Sequence, residues 1–325
     1  MKFSIRFNND LPAERFIHMA ALAEEAGFHQ IWVSNDLFWR SAPVLVAAAA
    51  RVTSRIALGV GVFNPVSMHP AEIAMAASSL QEVSGGRFCL GLGAGADEFL
   101  NWAGLAAGPP VSRTERAIKD LRALFAGDAP EGWQPEGRLR TGPLSVPIYI
   151  GAMGPRMLHL AGRLADGALP LLLPPERYLF AAAQIIEGAR EAGRDPDAID
   201  VAACIWCSID GNKARAKRAL ASKIAYYGAS FSPHMLAGAS LTVLDFRSIQ
   251  QALSSGNTER ASDLVTPAML SLGVAGGVDE VVEAGARLVD AGARHISFGP
   301  PLGPDPAQAV AALGAQVIPA LSAMR

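Results

Sequence analysis

Two glycines, a proline and an arginine set the first chemical possibility in this chain. Gly151-Ala152-Met153-Gly154-Pro155-Arg156 follows the apolar run Ile148-Tyr149-Ile150 and opens an amphipathic stretch. Glycine lets the backbone approach a ligand closely, and proline at the first helical position gives up an N–H that has no partner there anyway. The free N–H groups of such a helix start, beside a guanidinium, suit an anion, above all a phosphate. An ordinary strand-to-helix turn uses the same residues, so the stretch alone leaves both readings open. A second set, Gly91, Gly93 and Gly95, ends another apolar run. It lacks the Gly-x-Gly-x-x-Gly spacing of a dinucleotide-binding turn and reads, with Ala94, as a loop against a ligand tail. Asp36 follows a third apolar run, either to bind a ligand or to close an Asx turn. Arg6 ends the first run, either pointing a fixed charge inward or making a structural ion pair. Asn64 and Ser67 follow a fourth run, though Asn64-Pro65 is also a plain turn signal.

Other polar residues carry less. Cys204 and Cys207 have the spacing of a redox or zinc pair, but residues three apart in an extended run face opposite sides. His18, His29, His159, His234 and His295 show no ligand spacing, and His69 precedes a helix start, so no metal is expected. Phe38, Trp39, Phe63 and Trp102 either wall an apolar pocket for a planar substrate or cover a rim.

These residues are positioned by strands that alternate with helices almost from end to end, which predicts a parallel sheet with helical crossovers. Strands are expected at 2–7, 30–33, 56–62, 88–92, within 148–169 (two), at 201–209 and at 295–299. Helices are expected at 12–26, 43–51, 70–83, 112–125, 175–192, 279–291 and 308–324. Glu25-Ala26-Gly27 recurs as Glu191-Ala192-Gly193 and Asp290-Ala291-Gly292, each ending a helix before a strand. The count predicts an α/β fold, a (β/α)8 TIM barrel of one domain over 1–325, with a helical insertion at about 213–269 between strands 7 and 8. The candidate residues then fall at the C-terminal ends of strands, where such barrels bind ligands.

Half of the 325 residues are hydrophobic, enough for one large core. A formal net charge of -2 gives no electrostatic case for nucleic acid or an anionic membrane as a partner. Three cysteines cannot build a disulfide framework, and the longest apolar run, 42–50, is too short to span a bilayer. With strand-like residues from Lys2 onward and no signal-peptide core, the expectation is a soluble cytoplasmic protein acting on a small molecule.

Taken in order, several motifs resemble the bacterial luciferase-like superfamily of flavin and deazaflavin oxidoreductases. They are Ala26-Gly27-Phe28 before Ile31-Trp32-Val33-Ser34-Asn35-Asp36, Thr53 to Gly61 with Asn64-Pro65 and His69-Pro70, Ser84 to Gly93, and Ile148 through Asp166-Gly167. The tail Gly299-Pro-Pro-Leu-Gly-Pro-Asp305 resembles the branch of the methylene-tetrahydromethanopterin reductases, which use the deazaflavin coenzyme F420. The resemblance implies a ring cofactor packed at the barrel mouth against a strand-three bulge with a non-prolyl cis peptide, here Gly61–Val62. It places the cofactor phosphate on the Met153–Arg156 turn and hydrogen bonds to the cofactor on Asp36. Two departures bear on the chemistry. The pterin reductases carry an essential glutamate late in strand one, where this chain has Arg6, and a guanidinium cannot relay a proton at neutral pH. The sugar-phosphate dehydrogenases carry a histidine after the strand-two aspartate, where this chain has Leu37. Their acidic partner after strand four falls near Ala96, with Asp97 one step on.

The resemblance thus implies an F420-dependent oxidoreductase transferring a hydride to or from a small organic substrate, with Arg6 and Asp36 as candidate catalytic residues. The alternatives are an FMN-dependent monooxygenase and a flavin-binding protein without turnover. A homodimer is implied as well, through helices near strands two and three, where 47–50 and 74–77 offer small apolar residues.

Overall fold

Alternation along the first strand sorts the molecule into an inside and an outside. In β1 (Lys2–Phe7), Phe3, Ile5 and Phe7 enter the main core beneath the helices, whereas Ser4 and Arg6 project into the barrel. The computed structural model describes residues 1–95, 97–106, 108–231 and 233–324, with the side chains of 229 and 234 excepted; the positions of Ala96 and the His234 side chain, read from sequence above, lie outside that set. Then come β2 (Gln30–Val33), β3 (Ala57–Phe63), β4 (Phe88–Leu92), β5 (Ile148–Ala152), β6 (Gly167–Leu172), β7 (Asp200–Ile209), the short β8 (Val274–Gly276) and β9 (His295–Leu302). Strands β1 to β7 pair in order, β7 pairs with β9 and β9 with β1, all in parallel, so eight strands close into the expected barrel. The addition is β8. It pairs with Cys207–Ile209, the end of β7 that runs beyond its last partner in β6.

The crossovers are α1 (Ala13–Glu25), α2 (Ala42–Val52), α3 (Pro70–Val83), α4 (Asp97–Trp102), α5 (Pro110–Ala126), α6 (Pro155–Leu164) and α7 (Tyr178–Glu191). The insertion holds α8 (Lys213–Tyr227), α9 (Pro233–Ala237), α10 (Arg247–Ser254), α11 (Thr258–Asp263) and α12 (Pro267–Leu270). It has its own apolar cluster, in which Leu220, Ile224, Phe246 and Ile249 pack with Trp206 of β7. Helices α13 (Val278–Asp290), α14 (Pro306–Ala312) and α15 (Ile318–Ser322) complete the chain, the last two joined by a π-helical turn at Leu313–Val317. The short α4 was not foreseen. The three recurrent phrases behave alike: Gly27, Gly193 and Gly292 all have positive φ, and the next residue donates back to the carbonyl five residues earlier.

Inside the barrel, two large rings fill the space that glycines leave. Trp32 and Tyr149 meet edge to face at 5.0 Å. A Cβ on Gly59 would stand 2.2 Å from Trp32, and one on Gly167 2.1 Å from Tyr149. Below them, at the N-terminal ends of the strands, Asp200 receives Lys2 Nζ at 3.0 Å and Tyr149 Oη at 2.8 Å and meets His295 Nδ1 at 3.0 Å. Burial alone would raise the Asp200 pKa, but His295 and Lys2 hold it well below the usual carboxylate range. This polar floor leaves the open chemistry to the opposite end.

Candidate active site at the mouth of the barrel

The wall of the mouth is built at the end of β3. Its register against β4 jumps between Val60↔Leu90 and Phe63↔Leu92, which leaves Gly61 and Val62 as a bulge. The Gly61–Val62 peptide is cis, as the resemblance implies. Neighbouring glycines make room for it. A Cβ on Gly151 would lie 2.8 Å from Val62 Cγ1, one on Gly93 3.0 Å from Val62 Cγ2, and one on Gly91 2.3 Å from the Val60 carbonyl oxygen. Gly91 and Gly93 therefore serve the bulge directly. Asn64 joins the β3 and β4 loops: its Nδ2 donates to the Ala94 carbonyl and its Oδ1 accepts from Val66 N at 2.8 Å. Gly95 turns beside it with φ +66°. Phe63, read as a possible pocket wall, lies instead in the outer core, because the bulge returns β3 to its outward phase.

The contact of Gly151 with Val62 makes the turn after β5 continuous with this wall. Ala152 is buried, Met153 is 42% exposed, and Gly154, Pro155 and Arg156 face outward. No side chain caps the start of α6, and nothing lies within 4 Å of the place a Gly154 Cβ would occupy. An apolar bulge beside an uncapped helix start with an arginine fits a ring cofactor that carries a phosphate.

Arg6 points inward. Its Nη2 donates to the Ile205 carbonyl at 2.6 Å, and Gly299 lies so close that a Cβ there would be 2.5 Å from Cζ. Its Nε is buried without a hydrogen-bond partner, and no carboxylate among the described residues lies within 4.0 Å of the guanidinium. The ion-pair reading therefore does not hold. Burial lowers its pKa, opposed by the nearby Cys204 and Cys207, but a guanidinium stays charged. Asp36 sits across the mouth. Its Oδ2 is 3.0 Å from Ser34 Oγ, and Asn9 Nδ2 donates to its carbonyl at 2.9 Å and to that of Arg40 at 2.8 Å. Burial raises the Asp36 pKa, and Asp10 adds to that, while Ser34 and Lys223 oppose it.

Beside Asp36 lies a cavity of about 170 Å³, close to the ~150 Å³ that holds a benzene ring. Asn8, Asn9, Asp10 and Asp36 line one side; Lys223, Tyr226 and Tyr227 of α8 line the other, with Trp39 and Phe99 at the rim. Outside it, Leu37, Phe38, Trp39, Trp102 and Tyr226 form a shallow aromatic hollow. Asn8, Asn9, Lys223 and Tyr227 were not singled out from sequence. The signal was present for the last two: Lys223 and Tyr227 are four residues apart and share a helix face. Only the packing of the insertion aims that face into the mouth. His69 accepts from Ala71 N at 3.2 Å and caps α3. Cys204 faces the barrel interior and Cys207 the outer core, and burial pushes the Cys207 thiol up to about 12.

A parallel eight-stranded barrel with a bulged wall, an anion-ready turn beside it and a small cavity between Asp36 and α8 has the parts of a cofactor-dependent barrel oxidoreductase. The chain belongs to the luciferase-like monooxygenase family, whose model matches residues 2–295. It is 32% identical to the 5,10-methylenetetrahydromethanopterin reductase of Archaeoglobus fulgidus, covering 99% of this chain and 100% of that one. Identity to the reductase of the same name from Methanolobus tindarius is also 32%, over 98% of this chain and 100% of the relative. The solved structure of the coenzyme F420-dependent tetrahydromethanopterin reductase from Methanopyrus kandleri superposes with a TM-score of 0.88 at 28% identity, covering 98% of each chain.

Proposed function

We propose that this protein is a coenzyme F420-dependent oxidoreductase that moves a hydride between the deazaflavin and a small organic substrate held beneath α8. The observation that carries this reading is the Gly61–Val62 bulge, packed on Gly93 and Gly151 and continuous with the open turn at Gly154, in a chain that matches F420-dependent reductases over nearly its whole length. In this reading the ring lies against Gly61 and Val62, with Asn64, Gly93, Ala94 and Gly95 fixing that wall. The phosphate rests on Ala152, Met153, Gly154, Pro155 and Arg156, and Asp36 faces the ring and substrate. When bound, the deazaflavin supplies or accepts the hydride. The chain's own contribution is orientation and a water-poor cavity, plus a fixed positive charge at Arg6 that favours negative charge developing on substrate or cofactor. Arg6 in place of the reductases' glutamate means that the substrate's proton has another source.

The aromatic hollow of Phe38, Trp39 and Trp102 supports a substrate with a flat or apolar body. No helix among the described residues is long and apolar enough to cross a membrane, and the three cysteines are free and buried; both support a cytoplasmic setting. A homodimer through α2 and α3 belongs to the same reading. There, Ala49, Ala50, Ala74 and Ala77 are buried in the core, so the most exposed large apolar residues left for a partner on these helices are Val44 and Met75.

Titration of the purified protein with coenzyme F420 and with FMN, each followed by its own fluorescence, tests the cofactor. Saturable binding of F420 is the expected result. Tight binding of FMN with none of F420 would transfer the chain to the flavin-dependent oxygenases.

A further inference from the structure

The ammonium of Lys223 is poorly partnered for a charge in a partly buried site. Its Nζ lies 3.4 Å from Asn8 Oδ1 and 4.2 Å over the ring of Tyr227, with Trp206 at 5.7 Å. No carboxylate among the described residues comes within 4.0 Å of it, although Asp36 and Asp10 line the same cavity. Burial is the main influence on its pKa and brings it down to about 8, with Arg6 adding to that and Asp36 and Asp10 opposing it. The remaining titratable groups facing it are Tyr226 and Tyr227 of its own helix, whose phenols burial pushes up and keeps neutral. Lys223 and Asp36 thus both line a cavity the size of one ring and both have their protonation perturbed by burial there, as acid–base groups of active sites commonly do. An anion-binding lysine is the competing account. Two carboxylates in the same lining would repel an anion, which disfavours it.

We propose that Lys223 is the catalytic acid–base group of this enzyme, giving a proton to the substrate heteroatom in reduction and taking it back in oxidation. The inference rests on the oxidoreductase reading above and deepens it by supplying the proton that Arg6 cannot. The substrate class is a compound with a carbon–heteroatom double bond, a ketone or an iminium-forming aminal. With a ketone, the π pair moves to oxygen as the carbon receives the hydride, and that oxygen takes a proton from Nζ. With an aminal, the proton from Nζ goes to the departing nitrogen as its C–N bond breaks, and the carbon of the iminium so formed receives the hydride as its π pair returns to the remaining nitrogen. The neutral Lys223 amine left behind regains a proton from solvent at the mouth. Reduction then requires the ammonium form, so its rate falls as pH rises through about 8.

Two measurements on the full-length protein test this. In the first, trace acetylation of amines across pH 6–11 is read peptide by peptide by mass spectrometry. Lys223 is expected to reach half-reactivity near pH 8, well below the ~10.4 of exposed lysines. In the second, Lys223→Met and Lys223→Arg are compared with wild type for F420 binding and for reduction of methylenetetrahydromethanopterin and acetone. Both variants should bind F420 as wild type does. Both should lose about 10²-fold or more in kcat with KM changed little, and lose the fall in rate above pH 8. Wild-type rates in Lys223→Arg, or a rise in KM alone in Lys223→Met, would make Lys223 a charge anchor and overturn the proposal. So would a labelling midpoint shared with the exposed lysines. Absence of F420 binding by wild type would count against the oxidoreductase reading, while the labelling result would still judge the lysine.

Discussion

A single residue shows how one carboxylate can be committed to the fold rather than to the site. Glu24, near the end of α1, reaches the loop before β3 and accepts from the backbone N–H groups of Ser54, Arg55 and Ile56 at 3.0, 2.6 and 2.8 Å. Its partial burial would raise its pKa, but the three N–H donors outweigh that and bring it from 4.5 to about 2. Because the folded-state value is depressed, the stability it confers is fully present above about 4.5 and fades as pH falls toward about 2. Glu24→Gln is expected to lower stability on the order of 1 kcal/mol at pH 7. That difference should shrink between pH 4.5 and 2, as urea unfolding of both proteins at pH 7 and pH 3 would reveal. An equal difference at both values would mean that the carboxylate charge is not what holds the loop. At the same scale, Arg6 is legible in sequence as a departure from its relatives, but its bond to the Ile205 carbonyl of β7 and the closeness of Gly299 are not.

At the scale of elements, the barrel interior is a problem of volume solved by pairing rings with glycines. Gly59→Ala would drive a methyl group into Trp32, where contacts at 2.2 to 2.6 Å leave no room. It should cost about 1–3 kcal/mol or more, since overpacked cores relax only in part. Gly154→Ala meets open space at a negative φ, and its stability should stay within about 0.5 kcal/mol of wild type. Gly151→Ala falls between the two, because the group it would strike is Val62 of the bulge itself. That variant should weaken F420 binding more than it lowers the unfolding midpoint, whereas Gly59→Ala should do the reverse. Equal effects of the two variants on binding and stability would argue that the bulge has no special link to the cofactor.

For the molecule as a whole, the insertion and the flank of α2 and α3 decide what the barrel meets. The insertion packs its own apolar cluster on Trp206 and so hangs Lys223, Tyr226 and Tyr227 over the mouth. The flank leaves Val44 66% and Met75 62% exposed on adjacent helices. Replacing both by glutamate should convert a dimer into a monomer of unchanged fold, since charges are excluded from the centre of an apolar interface. Light scattering coupled to gel filtration would read the mass directly; a monomeric wild type would remove the dimer from the proposed function.

The sequence by itself determined the family, the order of strands and helices, and the βα turns that carry the candidate cofactor residues. These follow from short-range rules: alternation with period two, helical periodicity, glycine at helix ends, and motifs of a few adjacent residues. It did not announce β8 or α4, each too short to leave a periodic pattern. It left Phe63 open between pocket wall and rim cover, and the bulge, by reversing the alternation of β3, puts that side chain in the outer core instead. It passed over Lys223, an unremarked lysine in an amphipathic helix. Only tertiary structure decides which face of that helix is covered, and only burial beside Asp36, Asp10 and Tyr227 changes the chemistry of its ammonium. Desolvation and long-range charge act through space between residues that are 187 positions apart in the chain for Asp36 and Lys223, a relation that no local pattern encodes.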